Sequence, residues 1–185
     1  RLLREGRLPR EDVAGILSRR RKIRGVWVPS AEDAAFLLLV HPALVKHVSG
    51  WEMGLHRVAD ILAWLELPNV NWDNVIEKLA ENDVRTAAWA TLRWVALLST
   101  QDVSPTLNSL LSRLEPGPVR RSWLDFWLRN ELPSRTSRVH KLRLLLFSLA
   151  LHDGPAGAWR AIWGRYQAHR RREADLSEFR ELERQ

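Results

Sequence analysis

The hydrophobic positions of this chain recur at intervals of three and four residues, which is the spacing of one α-helical face. Leu55, Val58, Leu62 and Leu65 show the pattern most clearly and predict a helix over about residues 51–67. The same spacing predicts further helices near residues 8–21, 31–41, 71–80, 84–99, 105–114, 119–130, 135–151 and 159–166. We therefore expect an all-α protein, an irregular multi-helix bundle of about seven to nine helices.

Polar caps and prolines mark the ends of these helices. Ser30, with an acid three residues later, Asn71 and Ser104 are the predicted N-caps. Pro42 is expected to kink or end its helix near His41, because proline removes a backbone hydrogen bond. Residues 25–29 are the single short strand-like segment, near the N-terminus, and one such segment does not make a sheet.

The run Pro116, Gly117, Pro118 is the clearest break in the chain. It divides the sequence into a helical subdomain at residues 29–115 and a C-terminal helical subdomain at residues 116–185 that we expect to pack on the first. Residues 1–28 precede both as a basic N-terminal arm or linker.

Composition removes several kinds of chemistry. The 185 residues include no cysteine, which excludes disulfides, thiolate zinc sites, iron–sulfur clusters and cysteine nucleophiles. No apolar stretch approaches the roughly 20 residues that span a bilayer, so we expect a cytoplasmic protein without a membrane partner. Phosphate-cradling glycine motifs and the serine-hydrolase motif are also lacking. The sequence therefore shows no recognisable catalytic centre and no cofactor site of its own.

The net charge of +7 is concentrated at the N-terminus. Residues 1–24 hold nine Lys/Arg against three Asp/Glu, hence +6. Such a cluster can attract phosphates, anionic lipid or an acidic partner, although it can also be a solvated basic segment. Its candidate binding residues are Arg19, Arg20, Arg21, Lys22 and Arg24.

A row of polar residues is the first candidate for a reactive site. Glu52, His56 and Asp60 follow one another at intervals of four, so they share one side of a helix. They could ligate a metal or hold a proton-transfer pair, or they could form a solvated, salt-bridged helix flank. His41 and His47 are further candidates, but with Pro42 between them they do not share a helical face.

Ten tryptophans are the unusual feature of the composition. On the helix at residues 84–99, Arg85, Trp89 and Arg93 lie opposite the apolar face, and Trp64 likewise points away from the apolar side of its helix. Such residues predict either a multilayered core or a docking interface. Arginine beside tryptophan can also stack on nucleobases, which adds nucleic-acid binding as a third alternative.

Aromatic residues also define faces of the later helices. Residues 119, 123, 126 and 127 form one face of their helix, and Leu124 and Leu128 lie off it. Large apolar side chains on both sides again predict either a multilayered core or an interface. Further on, a core stripe is predicted at Trp159, Ile162, Trp163 and Tyr166.

A series of short motifs extends through residues 28–100. Pro-Ser-Ala-Glu-Asp occupies residues 29–33, a leucine-rich stretch ends in His41, a Leu-to-Asp segment lies within residues 50–62, and Asn-Trp-Asp follows at residues 71–73. This order resembles the helical part of an uncharacterised nucleotidyltransferase-like family. The residues in matching places are Ser30, Asp33, His41, His47, Asp60 and Trp72.

In that family an N-terminal core performs the chemistry, with a glycine-serine loop and an acidic pair that bind Mg²⁺ and a nucleoside triphosphate. The resemblance implies that this chain begins after such a core, with residues 1–28 as the exit segment. The chain would then be a helical accessory region that positions or caps the core. The alternatives are a non-catalytic helical module that docks another protein and, less favoured, a nucleic-acid-binding helical domain.

Overall fold

The computed structural model describes residues 8, 13–46, 50–99, 104–130, 140–160 and 162–163. Within them, the predicted all-α class is confirmed. The helices are α1 (Val13–Ser18), α2 (Ala31–Lys46), α3 (Gly50–Leu65), α4 (Trp72–Glu81), α5 (Arg85–Leu98), α6 (Pro105–Arg113), α7 (Pro118–Arg129) and α8 (His140–Ala150). Residues 155–160 form a ninth helical segment. None of the described helices combines the length and apolarity needed to cross a membrane.

The predicted N-caps are confirmed. The side-chain oxygen of Asn71 accepts hydrogen bonds from the amides of Asp73 and Asn74, at 3.1 and 3.2 Å. Ser104 accepts from the Leu107 amide at 3.3 Å, and Ser30 accepts from the Asp33 amide at 3.1 Å. Each contact satisfies a backbone amide that has no partner within the helix, and so fixes where the helix begins.

Of the two outcomes predicted at Pro42, a kink or the end of the helix, the second is wrong. Helix α2 continues through Pro42 to Lys46. Ala43 and Leu44, which follow the proline, are buried in the core. Their burial offsets the interior-proline penalty of about 3 kcal/mol or more.

The N-terminal segment contains a β-hairpin where the sequence predicted the end of a helix and a lone strand. Helix α1 ends at Ser18, and the chain then forms β1 (Arg21–Ile23) and β2 (Val26–Val28), which pair antiparallel. Arg24 and Gly25, with φ angles of 48° and 86°, form the two-residue connection. Positive φ at both positions is the requirement of a tight hairpin turn. The strand-like segment at residues 25–29 therefore contributes one half of a two-stranded sheet.

Helix α5 lies at the centre of the molecule and packs against α2, α3, α4, α6 and α7. Its small residues Ala87, Ala88 and Ala90 are fully buried and let neighbouring helices approach closely on several sides. The other buried residues of α5 are Thr86, Trp89, Thr91, Leu92, Trp94 and Val95. The main core is thus built around one helix rather than between two layers.

One hydrophobic core extends across the break at residues 116–118. Phe36 and Leu39 of α2 belong to the same buried cluster as Leu124 of α7 and Phe147 of α8. Helices on either side of the break therefore stabilise one another.

The predicted core stripe at Trp159, Ile162 and Trp163 is wrong, because all three side chains are exposed. Tyr166 lies outside the described residues. The segment turns a different side inward: Gly157 packs against His152 and Asp83, and Arg160 pairs with Asp83 at 2.9 Å. A glycine contact and an ion pair thus hold this segment.

Candidate functional site

The predicted polar row does not form a converging site in the part that the structure describes. His56 and Asp60 are exposed on α3, and Asp60 lies 4.0 Å from Arg57. His41 is half-buried on α2, while His47 and the side chain of Glu52 lie outside the described residues. Among the described side chains, no group of three His, Cys, Asp or Glu residues is arranged to hold a metal.

The predicted interface of Arg85, Trp89 and Arg93 is internal. Trp89 is only 3% exposed, because α6 and α7 cover this side of α5. Arg93 donates to the Asp125 carboxylate at 2.6 Å, and Arg85 donates to the Arg113 carbonyl at 2.7 Å. The fourth predicted interface residue, Trp64, packs half-buried against the core. These residues join layers of the bundle, so the docking interpretation is wrong for this stripe.

Asp125 joins α7 to α5 through Arg93 and also pairs within α7 with Arg129. It accepts from Arg93 of α5 and, at 2.6 Å, from Arg129 one turn further along α7. Burial opposes ionisation of Asp125, but the hydrogen bonds from Arg93 and Arg129 outweigh it and hold the pKa below its ordinary value. A carboxylate committed to two cations is unsuited to proton transfer, so this group is structural.

Asp33 forms a second, more deeply buried network. Its two oxygens accept from Nε and Nη2 of Arg19 at 2.9 and 3.0 Å, and Lys78 of α4 donates to the same carboxylate. Burial opposes its ionisation, but hydrogen bonds from Arg19, Lys78 and Ser30 outweigh it and lower the pKa. We call Asp33, Arg19 and Lys78 the Asp33 cluster. It fastens the N-terminal segment to α2 and α4, so Arg19 is a structural residue of the basic arm.

The other basic residues of the arm lie on the exposed hairpin. The guanidinium carbon of Arg20 is 4.6 Å from the ring centre of Trp27, and Nζ of Lys22 is 6.0 Å from it. Lys22 is the cross-strand partner of Trp27, and the two-residue period of a strand puts Arg20 on the same face. We call Arg20, Lys22 and Trp27 the cationic face of the hairpin.

Asp153 completes the N-terminus of α5, which lacks a capping side chain of its own. Its carboxylate accepts from the amides of Arg85 and Thr86, at 2.7 and 2.9 Å, and from the Thr86 hydroxyl at 2.5 Å. A cavity of about 340 Å³ adjoins this cap, with Arg85 and Arg120 facing Glu115 and Asp153. Because the opposite charges balance, the cavity shows no preference for an anion or a cation.

A second opening, of about 520 Å³, lies where α4 and α6 begin. Trp72, one of the residues singled out by the family resemblance, lines it beside Asp73 and Arg113, which form an ion pair at 2.5 Å. Among the residues that the structure describes, no further charged side chain lines this opening.

Helix α7 presents an exposed apolar surface. The structure turns Leu124 and Trp127 inward and leaves Val119, Trp123 and Phe126 exposed, by 84%, 38% and 54%. We call these three residues the α7 stripe. Trp127 meets Trp123 and Phe126 edge to face, each at 5.4 Å between ring centres. The sequence placed Trp127 on the same face as the stripe and left open whether that face meets a core or an interface, whereas the structure buries Trp127 and exposes the other three residues.

Comparisons of the chain with protein families, curated proteins and solved structures found no match. The α7 stripe and the cationic face are therefore the two surfaces from which we infer a function.

Proposed function

We propose that this chain is a non-catalytic helical module that docks onto another protein domain through the α7 stripe. The observation that carries the proposal is the exposure of Val119, Trp123 and Phe126 on a helix whose other face is buried in the core. Large apolar side chains exposed together on one helix mark interaction surfaces.

The spacing and chemistry of the stripe support a helix or groove as its counterpart. Residues 119, 123 and 126 follow an i, i+4, i+7 pattern, which is how a helix presents anchors to an apolar surface. Tryptophan and phenylalanine bury large areas, and tryptophan is enriched among the residues that dominate binding energy. The edge-to-face contacts with Trp127 hold the rings of Trp123 and Phe126 in place. Because the two rings are already restrained, they lose less side-chain entropy on binding.

The state of the buried carboxylates supports a non-catalytic role. Asp33 and Asp125 are the described groups with displaced pKa values, and each is paired with two cations. A general acid or base has its pKa near the working pH and is free to exchange a proton. These two carboxylates instead hold helices together.

The family resemblance suggests the identity of the docked domain. It would be a nucleotidyltransferase core that binds Mg²⁺ and a nucleoside triphosphate, with this chain as the helical accessory region that positions or caps it. On that hypothesis the isolated chain transfers no nucleotide. Incubation with Mg²⁺ and each labelled nucleoside triphosphate tests this, and transfer by the purified chain would contradict it.

Photo-crosslinking in the source cells tests the docking surface. A photoreactive residue at position 119 is compared with one at position 121, because Arg121 is exposed on the same helix but lies about 200° around it from Val119. The partner crosslinked only from position 119 is then purified for calorimetry. We expect Phe126→Asp to weaken binding at least tenfold and Arg121→Gln, which changes the net charge by the same amount, to leave it unchanged. Equal affinity of the wild type and Phe126→Asp would refute the proposal.

A further inference from the structure

The hairpin concentrates positive charge on a small exposed surface. Arg20, Arg21, Lys22 and Arg24 are all exposed, and the sequence contains no acid between Val13 and Ser30. Among the residues that the structure describes, none of the four has a carboxylate partner. Within the described ranges, the side chains of Arg20 and Lys22 contact the ring of Trp27. This charge is therefore available to a polyanion.

The exposed indole of Trp27 favours a ligand that carries aromatic rings as well as negative charge. Trp27 is 55% exposed although Arg20 and Lys22 both approach its ring. An aromatic ring on a cationic surface is the arrangement that binds single-stranded nucleic acid, because a base stacks on the ring while the cations contact phosphates. We propose that the cationic face of the hairpin binds single-stranded nucleic acid, a function separate from docking through the α7 stripe.

The pleat of the hairpin distinguishes this ligand from an anionic membrane. Insertion into a bilayer interface needs aromatic and aliphatic side chains on one side. Here Ile23 and Val26 form a cross-strand pair, which the two-residue period places on the face opposite Trp27. A flat bilayer cannot engage both faces at once, whereas a single strand needs only the face that carries Arg20, Lys22 and Trp27.

Fluorescence anisotropy tests the proposal with the full chain and a fluorescein-labelled, mixed-sequence 20-nucleotide single-stranded DNA. We expect binding at about 50 mM salt that weakens with salt, with a log–log slope of about −2 to −3 for three or four phosphate contacts. Trp27→Ala should weaken binding about tenfold, and Trp27→Phe should retain most of the affinity because it keeps a stacking face.

Charge variants distinguish DNA binding by the hairpin from nonspecific attraction to the net positive charge of the protein. Arg20→Gln with Lys22→Gln should make the salt slope shallower by about 1.4. Arg57→Gln with Arg129→Gln removes the same charge from exposed positions on α3 and α7 and should leave the slope unchanged. NMR contacts between Ile23 and Val26 verify that the hairpin persists in each variant.

Four outcomes would overturn the proposal. They are no binding of DNA at low salt, an equal change of the salt slope in the two charge variants, and undiminished DNA affinity of Trp27→Ala. The fourth is tighter binding of anionic phosphatidylglycerol vesicles than of DNA through the same residues. None of them bears on the α7 stripe, since Phe126→Asp should leave DNA affinity unchanged.

Discussion

Asp33 shows how one carboxylate organises the N-terminal third of the chain. Its side chain is 1% exposed, and its two cationic partners come from segments 14 and 45 residues away. From the sequence, Asp33 is only an acid in the first turn of a helix, where it stabilises that helix locally. The distant partners could not be predicted, because pairing across elements depends on how the helices pack.

Replacing Asp33 with Asn tests the Asp33 cluster. We expect a loss of about 3 kcal/mol in the free energy of unfolding at pH 7, because Lys78 and Arg19 lose their common counter-ion. Urea denaturation measures it, with Asp60→Asn, an exposed carboxylate near Arg57, as a control that should change by less than about 0.5 kcal/mol.

The pH dependence of that loss has a definite sign. Because the folded-state pKa of Asp33 is below the ordinary value of 3.8, its contribution is fully present above pH 3.8. It disappears as the pH falls through the folded pKa. The difference between the wild type and Asp33→Asn should therefore be constant from pH 7 to pH 5 and shrink below pH 3.8. A difference that shrank already at neutral pH would contradict the assignment.

Asp153 supplies the cap that α5 lacks in its own sequence. Asp153→Ala should destabilise the protein by about 1–2 kcal/mol, because the amides of Arg85 and Thr86 lose their acceptor. Thermal or urea unfolding measures the effect. Asp153→Asn, which keeps a side-chain oxygen, should cost less, and equal losses in both variants would indicate that charge rather than capping dominates.

At the scale of elements, local signals predicted the helices better than the faces that they bury. Caps at Asn71 and Ser104 fixed the starts of α4 and α6, and the hydrophobic period located α3 and α5. On α7, however, two overlapping apolar faces compete, and the sequence does not say which one meets α5. The hairpin was missed because Arg-Gly is a weaker turn signal than Asn-Gly, and because three-residue strands are too short to show alternation.

Substitution of Gly25 tests whether the hairpin can be lost without loss of the helical core. Its φ of 86° is strained for any residue with a Cβ and most of all for a β-branched one. Gly25→Val should abolish the NMR contacts between Lys22 and Trp27 while the helical core keeps its melting temperature within about 2 °C. Gly154→Ala is the matched control and should preserve both, because a Cβ added at Gly154 would meet open space and its φ is not positive. Persistence of the Lys22–Trp27 contacts in Gly25→Val would contradict the turn assignment.

At the scale of the molecule, the hydrophobic period predicted the all-α class but not where the tryptophans would lie. For Arg85, Trp89 and Arg93 the sequence left open a multilayered core or a docking interface. The structure places this stripe inside the molecule, because the alanine-rich α5 has neighbours on several sides. The surface proposed for docking lies instead on α7. The sequence could not choose between the alternatives, because an amphipathic pattern identifies a helix, whereas the number of its neighbours depends on the whole fold.

The two faces of α7 provide a direct test of the core that spans residues 116–118. Leu124→Ala should lower the free energy of unfolding by about 2–5 kcal/mol, because it leaves a cavity in the shared core. Val119→Ala, on the exposed face of the same helix and itself 84% exposed, should change it by less than about 0.5 kcal/mol. Both values come from urea denaturation followed by circular dichroism. The reverse ranking would mean that α7 is rotated from the orientation described.

The enclosure of α5 has a consequence for how the protein opens. Peripheral elements such as the hairpin can detach and leave the core intact, but no single helix can detach and expose α5, since α2, α3, α4, α6 and α7 all pack against it. Its backbone amides should therefore exchange with deuterium only through opening of the whole domain. The slowest-exchanging amides should cluster around Ala88 to Leu92, and their exchange free energies should equal the global stability.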